Sequence, residues 1–332
     1  MKSILQVAKK IISYVLSLCI VIVLLKYTYR EVSIKELLNK TQQLNFVWVG
    51  ISILLGLASH LIRAYRWNLL LAPLGFKVSV FKSFAALMVG YMSNLFIPRL
   101  GEIVRCSLLG RSTGIPTGVL FGTVGMERVI DLAGFLMVAA LTLVVSSAEI
   151  KSTLKTIPFL ATNTKFIFWL FASLIVLVCV VAFIAYRARN HLFKNRLLAR
   201  AKIFMLGVKE GFYTLSNSQE KKIIVYTTII KWGLYYLSDY VGIFAIPATS
   251  HLKWTAGLAV LTMSSLSFAV PIQGAIGAYH ILVSGALVGY GIPPSDALLY
   301  ATVIHAAHLL IVIIGGMIGI IYQNIWINRL KR

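Results

Sequence analysis

Glu127-Arg128-Val129-Ile130-Asp131 places three ionisable side chains within five residues, inside an otherwise apolar run at 117–146. Glu127 and Asp131 are four apart and share a face of a helix; Arg128 and Asp131, three apart, can pair. Counted from Pro116, Glu127 lies about 16 Å along a helix, close to the centre of a bilayer. A charge there costs about 2.5–3.5 kcal/mol on insertion scales, so these groups must face protein or water. The functional reading is a polar site that binds substrate or carries a proton, with a net negative charge left after one pairing. The competing reading is a structural salt-bridge knot between two halves of the molecule.

A second group surrounds a backbone break, Phe96-Ile97-Pro98-Arg99-Leu100-Gly101-Glu102, with Arg105 following. Arg99 and Arg105 are cations suited to a phosphate; Glu102 and Arg105, at i and i+3, can instead pair with each other and close a hairpin. A similar break, Pro271-Ile272-Gln273-Gly274-Ala275-Ile276-Gly277, is followed by His280. His305 and His308 are near-neighbours on a later helix, where ordinary packing, protonation or lipid contact outweighs a metal site, since two ligands at i and i+3 are too few. Lys231 and Asp239 are eight apart, share a face, and are expected to partner groups in the other half. Arg63 and Arg66, beside Tyr65 and Trp67, are expected to be interfacial anchors that snorkel to the headgroups.

Other chemistry is missing from the sequence. It contains no P-loop, G-x-S-x-G, H-E-x-x-H or G-x-G-x-x-G pattern, and no D-x-D pair. The three cysteines, Cys19, Cys106 and Cys179, form no C-x-x-C, which argues against a zinc site or a disulfide framework. No metal, cofactor or catalytic residue is assigned, and the protein is not expected to be an enzyme.

The elements that position these residues follow from composition. Of 332 residues, 59% are hydrophobic and 13% charged, and the mean hydropathy is +0.86. Soluble domains carry about twice that charged fraction. The expected class is all-α and polytopic: one integral membrane domain over 1–332 with six full spans near 10–28, 46–70, 117–146, 165–186, 223–247 and 296–323. The first is expected to be an uncleaved span, since no small-x-small site follows it. The stretches ending at Pro98 and Pro271 are each followed by a piece too short to cross, so both are expected to be re-entrant hairpins. Residues 187–222 form a basic, amphipathic segment.

The chain holds 32 Lys and Arg against 10 Asp and Glu, a formal net charge of +22. The basic residues lie between apolar blocks, so topology and anionic headgroups explain them better than nucleic acid does. With both termini cytoplasmic and both hairpins returning to their own side, 22 of the 32 fall in cytoplasmic segments. That is the bias expected in a cytoplasmic (inner) membrane. Laying 46–146 over 219–319 puts Pro98 on Pro271 and Gly101 on Gly274. In this topology the first repeat (10–146) and the second (165–323) are inverted, the plan of many secondary transporters.

Leu61-Ile-Arg-Ala-Tyr-Arg-Trp67, Asn94-Leu-Phe-Ile-Pro-Arg-Leu-Gly-Glu-Ile-Val-Arg105, Glu127-Arg-Val-Ile-Asp-Leu132 and Pro271-Ile-Gln-Gly-Ala-Ile-Gly277 together resemble the lysylphosphatidylglycerol synthase transmembrane-region family, also called flippase-like or UPF0104 membrane proteins. The resemblance covers nearly the whole chain. Large members of that family join this membrane region to a soluble aminoacyltransferase domain, and the membrane region is thought to translocate the lipid product. The sequence here shows no such domain, so the resemblance implies binding or flipping of an anionic lipid, a phospholipid or polyprenyl-phosphate-linked glycan. Arg99, Glu102, Arg105, Glu127, Arg128, Asp131, Gln273 and His280 would line the site, with Pro98, Gly101, Pro271, Gly274 and Gly277 as the breaks. An integral-membrane transferase acting on a lipid-linked substrate is the alternative. The chain departs from the family pattern at His280, where a glutamate is usual, and at His305 or His308, where an arginine is frequent.

Overall fold

The computed structural model describes residues 17–30, 32–146 and 220–330, and every regular element among them is a helix. In chain order these are α1 (Ser17–Thr28), α2 (Ile34–Thr41), α3 (Phe46–Leu71), α4 (Val80–Phe96), α5 (Leu100–Thr113), α6 (Thr117–Val145), α7 (Glu220–Ile243), α8 (Trp254–Ala269), α9 (Ala278–Gly289) and α10 (Pro294–Leu330). The expected span at 165–186, the basic segment up to residue 219 and the start of the first span lie outside the described residues.

Among the described residues, three helices are long and apolar enough to cross a membrane: Phe46–Leu74, Thr117–Val145 and Pro294–Trp326. Their boundaries follow the chemistry of the ends. Asn45 caps α3 by accepting the Val47 N–H at 3.1 Å, a common N-cap arrangement. Gly75, at φ 84°, turns the chain after Pro73. Gly114, at φ 76°, closes α5 just before Pro116 opens α6, so a left-handed glycine stops one helix and a proline starts the next. α7 ends at Ile243, four residues short of the expected limit. There the Thr249 hydroxyl donates to the Ile243 carbonyl at 2.5 Å, satisfying an end that Pro247 could not continue.

α4 and α5 form a tight helical hairpin. With 17 and 14 residues they are about 25 and 21 Å long, each short of the roughly 30 Å hydrocarbon core. The residue before Pro98, Ile97, is extended, as steric clash with a proline ring requires. Arg99 then takes a left-handed φ of 64° and α5 begins. The two helices meet backbone to backbone: a Cβ on Gly90 would lie 2.7 Å from the Gly101 carbonyl oxygen, so only glycine fits. The Gly101 N–H, orphaned by the break, donates to Asn94 Oδ1 at 2.7 Å.

The second break is more irregular. α8 ends at Ala269 with Val270 extended, a 3-10 turn covers Gln273–Ala275, and Gly274, Ala275 and Gly277 have φ of 55°, 58° and 86°. The two breaks touch. Leu95, at the end of α4, packs against Gly274, where a Cβ would lie 2.9 Å from Leu95 Cδ2. His305 on α10 also holds the second break, its Nε2 lying 2.9 Å from the Gly274 carbonyl oxygen.

The helices of one half seat against those of the other. α3 packs on α7, α4 on α10, and α6 on α8. Glycines on α10 permit the second contact: Gly315 and Gly316 receive Met88 and Met92, and Gly319 approaches the Ala85 carbonyl. The apolar core lies where α7, α8, α9 and α10 converge, around Ile243, Val260, Tyr279, Tyr300 and Ile304. Met137, Val144, Ile318 and Ile321 face outward, as lipid-facing side chains of a membrane protein do.

Candidate functional site

Four helices bring their charged residues to one buried point. α3 contributes Arg63 and Arg66, three residues apart and so on one face. α6 contributes Glu127 and Asp131, α5 contributes Arg105, and α7 contributes Lys231. All but Asp131 are buried, and Asp131 is nearly so. Glu127 lies between two arginines: Arg63 Nε donates to Oε1 at 2.6 Å and Arg105 Nη1 donates to Oε2 at 3.0 Å. Asp131 receives Arg66 Nη2 at 2.5 Å and Lys231 Nζ at 2.6 Å on Oδ1, with Arg63 Nη2 at 3.2 Å from Oδ2. Arg63 thus spans both carboxylates. Arg66 also donates to Thr228 Oγ1 at 3.1 Å.

Aromatic rings complete the wall. The Arg105 guanidinium lies 4.9 Å from the centre of the Trp67 ring, Arg63 lies 5.6 Å from Tyr91, and Lys231 lies 4.4 Å from Trp232. Trp67 is held by its own N–H donating to Thr123 Oγ1 at 2.9 Å. Ring faces stabilise cations that have left water.

Four cations against two carboxylates leave the cluster with two surplus positive charges. The expected net negative charge is corrected accordingly. The cause is α3: Arg63 and Arg66 are not snorkelling anchors but point inward, and both are buried. Lys231 does partner the other half, as its position on α7 predicts. Arg105 is the least saturated member. Its Nε and Nη2 are buried with no hydrogen-bond partner, a costly state unless something else accepts from them.

The other expected site residues divide. Arg128 does not pair with Asp131; one step along α6 from Glu127 turns it about 100° away. It reaches Glu102 instead, Nη2 to Oε1 at 2.6 Å, with the two side chains 48% and 40% exposed. Glu102 therefore does not pair with Arg105, which is buried on another face of α5. Arg99 is exposed at the first break. At the second, Gln273 is buried and donates to Ser17 Oγ at 2.7 Å, while its Oε1 has no partner. His280 accepts the Gly277 N–H on Nδ1 at 3.3 Å and so caps α9. Its ring lies 5.1 Å from that of His305. The residues missed as site members are Lys231, expected only to partner the other half, and the pair Arg63 and Arg66. The available signal was their spacing, which matches a carboxylate pair at i and i+4 on a facing helix.

A helical membrane region with apolar faces outward and a cationic cluster inside defines a multi-pass membrane protein with a buried anion-compatible centre. The chain belongs to the family described as the lysylphosphatidylglycerol synthase TM region, whose model matches residues 14–316. It is also similar to a UPF0104 membrane protein of Methanocaldococcus jannaschii, with 27% identity over 176 residues, covering 52% of this chain and 50% of the relative. The match thus spans about half the length of that relative. No solved structure matches the chain.

Proposed function

We propose that this protein binds an anionic lipid, a phospholipid or a polyprenyl-phosphate-linked glycan, and moves its headgroup across the cytoplasmic membrane. The observation that carries the reading is the charge imbalance inside the bilayer: two surplus cations by formal charge, with Arg105 Nε and Nη2 buried and unfilled among the described residues. A phosphate accepts from guanidinium groups in paired geometry and would neutralise the surplus. The network already binds both of its carboxylates, so binding needs no new counter-charge. The acyl chains stay in lipid while the headgroup enters between α3, α5, α6 and α7.

The proposed topology places both termini in the cytoplasm and makes α4–α5 and α8–α9 re-entrant. The short helices and the contact between the two breaks support it, because broken backbone at membrane depth is tolerated where protein covers it. The family name is a second support, since it joins the chain to a lipid-modifying system. The transferase alternative is the weaker one: Glu102, Glu127 and Asp131, the carboxylates it would use, are each held in an ion pair.

The test is leaflet exchange. The full chain is placed in vesicles carrying fluorescent phosphatidylglycerol, a fluorescent polyprenyl phosphate or fluorescent phosphatidylcholine. A membrane-impermeant reductant then bleaches whatever reaches the outer leaflet. Faster bleaching of at least one anionic probe, and not of the choline lipid, is expected. Bleaching of both anionic probes at the protein-free rate contradicts the reading, and a change of lipid mass would instead support the transferase.

A further inference from the structure

The buried carboxylate of Asp239 lies outside the cationic network. Asp239 and Lys231 share a face of α7, eight residues and about 12 Å apart. Asp239 is 4% exposed at its side chain, and its closest ion-pair contact among the described residues is His308 Nε2, 4.0 Å from Oδ1. No arginine or lysine among the described residues reaches it. Oδ1 has no hydrogen-bond partner. A buried, uncompensated carboxylate is costly in such surroundings and is relieved by taking up a proton.

The partner on Oδ2 suits both protonation states. Ser264 Oγ lies 3.0 Å from Oδ2 and 3.0 Å from the Leu261 carbonyl oxygen. With Asp239 ionised, the Ser264 hydroxyl donates to the carboxylate. With Asp239 protonated on Oδ2, the carboxyl donates to Ser264 and the Ser264 proton turns to Leu261. A hydroxyl has one proton and two acceptor positions, so neither state leaves a donor stranded.

His308 supplies a route. Its side chain is 23% exposed, whereas that of Asp239 is 4% exposed. Ser238 Oγ lies 2.9 Å from the Ser52 carbonyl oxygen, 3.2 Å from Ser52 Oγ and 3.5 Å from His308 Nε2. When its proton goes to Ser52 it accepts from His308, in the tautomer that carries the proton on Nε2, the nitrogen nearest Asp239. A proton arriving at Nδ1 lets Nε2–H pass to Oδ1 once the side chains close the 4.0 Å gap, and the imidazole leaves the step neutral.

The groups facing this pair are few. Tyr300 on α10 donates to the Asp239 backbone carbonyl at 2.5 Å, and Tyr279 on α9, buried in the same apolar cluster as Tyr300, has no partner for its hydroxyl among the described residues. Tyr279 stacks on His305 at 4.5 Å, and His280 adjoins that ring. On α3, the His60 ring lies 5.1 Å from that of Tyr91 on α4 and 6.2 Å from that of Tyr235 on α7; Tyr91 in turn faces Arg63 at 5.6 Å, and the Tyr235 ring lies 5.2 Å from Lys231 Nζ. Beyond Lys231 lie Glu127 and Asp131 of α6.

We propose that Asp239 and His308 form a proton-binding site whose loading is coupled to the cationic cluster through α7, which carries both Asp239 and Lys231, making the proton the coupling ion. The coupling role rests on the lipid-transport reading; the proton site itself does not. Asp239 and Lys231 stand on one face of α7, about 12 Å apart, so a change of charge at one site alters the anion affinity of the other.

Two measurements on the full chain test this. Infrared titration in phosphatidylglycerol nanodiscs should show a protonated-carboxyl stretch that disappears as the pH rises and is missing in Asp239→Asn. In the exchange vesicles, a one-unit pH gradient should shift the steady-state leaflet ratio of the transported lipid by up to about tenfold per coupled proton, and His308→Gln should abolish the shift. A sodium gradient should do nothing. Exchange that ignores the pH gradient, or follows sodium, overturns the proposal and leaves lipid transport standing. A carboxyl band that survives Asp239→Asn overturns it too. A titrating Asp239 band without any lipid exchange keeps the proton site and removes the transport reading instead.

Discussion

Glu127 carries more of the site than its single charge indicates, because Arg63 and Arg105 grip its two oxygens at 2.6 and 3.0 Å. Removing one member of a buried, hydrogen-bonded ion cluster leaves the rest uncompensated, a loss of about 3–5 kcal/mol. Glu127→Gln is therefore expected to lower stability by that amount, measured by denaturant unfolding in detergent. Arg128→Gln, which breaks a half-exposed pair, is expected to cost less than about 1 kcal/mol. Glu127→Gln with Arg105→Gln should recover part of the loss, since the two groups couple directly. The carboxylates were legible in the sequence because charge within an apolar run must be explained. Arg63 and Arg66 were not, since arginine beside tyrosine and tryptophan near a span end is also the pattern of an interfacial anchor. Only the rotation of α3 against α6 and α7 distinguishes the two, and that rotation is set by contacts far apart in the chain.

The two backbone breaks could be read from Pro98 and Pro271 because proline and glycine act locally. Inverted repeats bring equivalent positions together, so a contact between the breaks is expected from the repeat; that Leu95 and Gly274 make it could not be read, because they meet only after the halves have packed. The hairpin α4–α5 depends on a close backbone crossing, so Gly90→Ala should unseat it: the added Cβ would sit 2.7 Å from the Gly101 carbonyl oxygen. Overpacking of this kind costs about 1–3 kcal/mol, and the backbone oxygen cannot turn aside. Gly50→Ala on α3, with nothing within 4 Å of the new atom, should leave the melting temperature unchanged. A short bifunctional thiol reagent should join cysteines placed at Leu95 and Gly274; failure at that pair, with both thiols reactive, would separate the breaks.

α3 packs on α7, α4 on α10 and α6 on α8. If α7, α8, α9 and α10 correspond in order to α3, α4, α5 and α6, α3 meets its own counterpart and α4–α10 and α8–α6 are equivalent pairs, the pattern that a two-fold relation of the halves would produce. The charge clusters break it, because one half holds arginines and carboxylates while the other holds Asp239 and histidines. We propose that the symmetric frame allows alternating access and that the asymmetry separates substrate from coupling ion. Orientation is tested by thiol labelling, with cysteines near Lys155 expected to react from outside and those near Arg200 only from inside. The central claim is that the intramembrane cations hold an anionic lipid, and native mass spectrometry of the gently purified full chain tests it most directly. The account predicts an anionic lipid bound to the wild type, retained in Arg128→Gln and lost in Arg105→Ala. A wild type carrying no such lipid, or an Arg105→Ala variant loaded to the same extent, would contradict it.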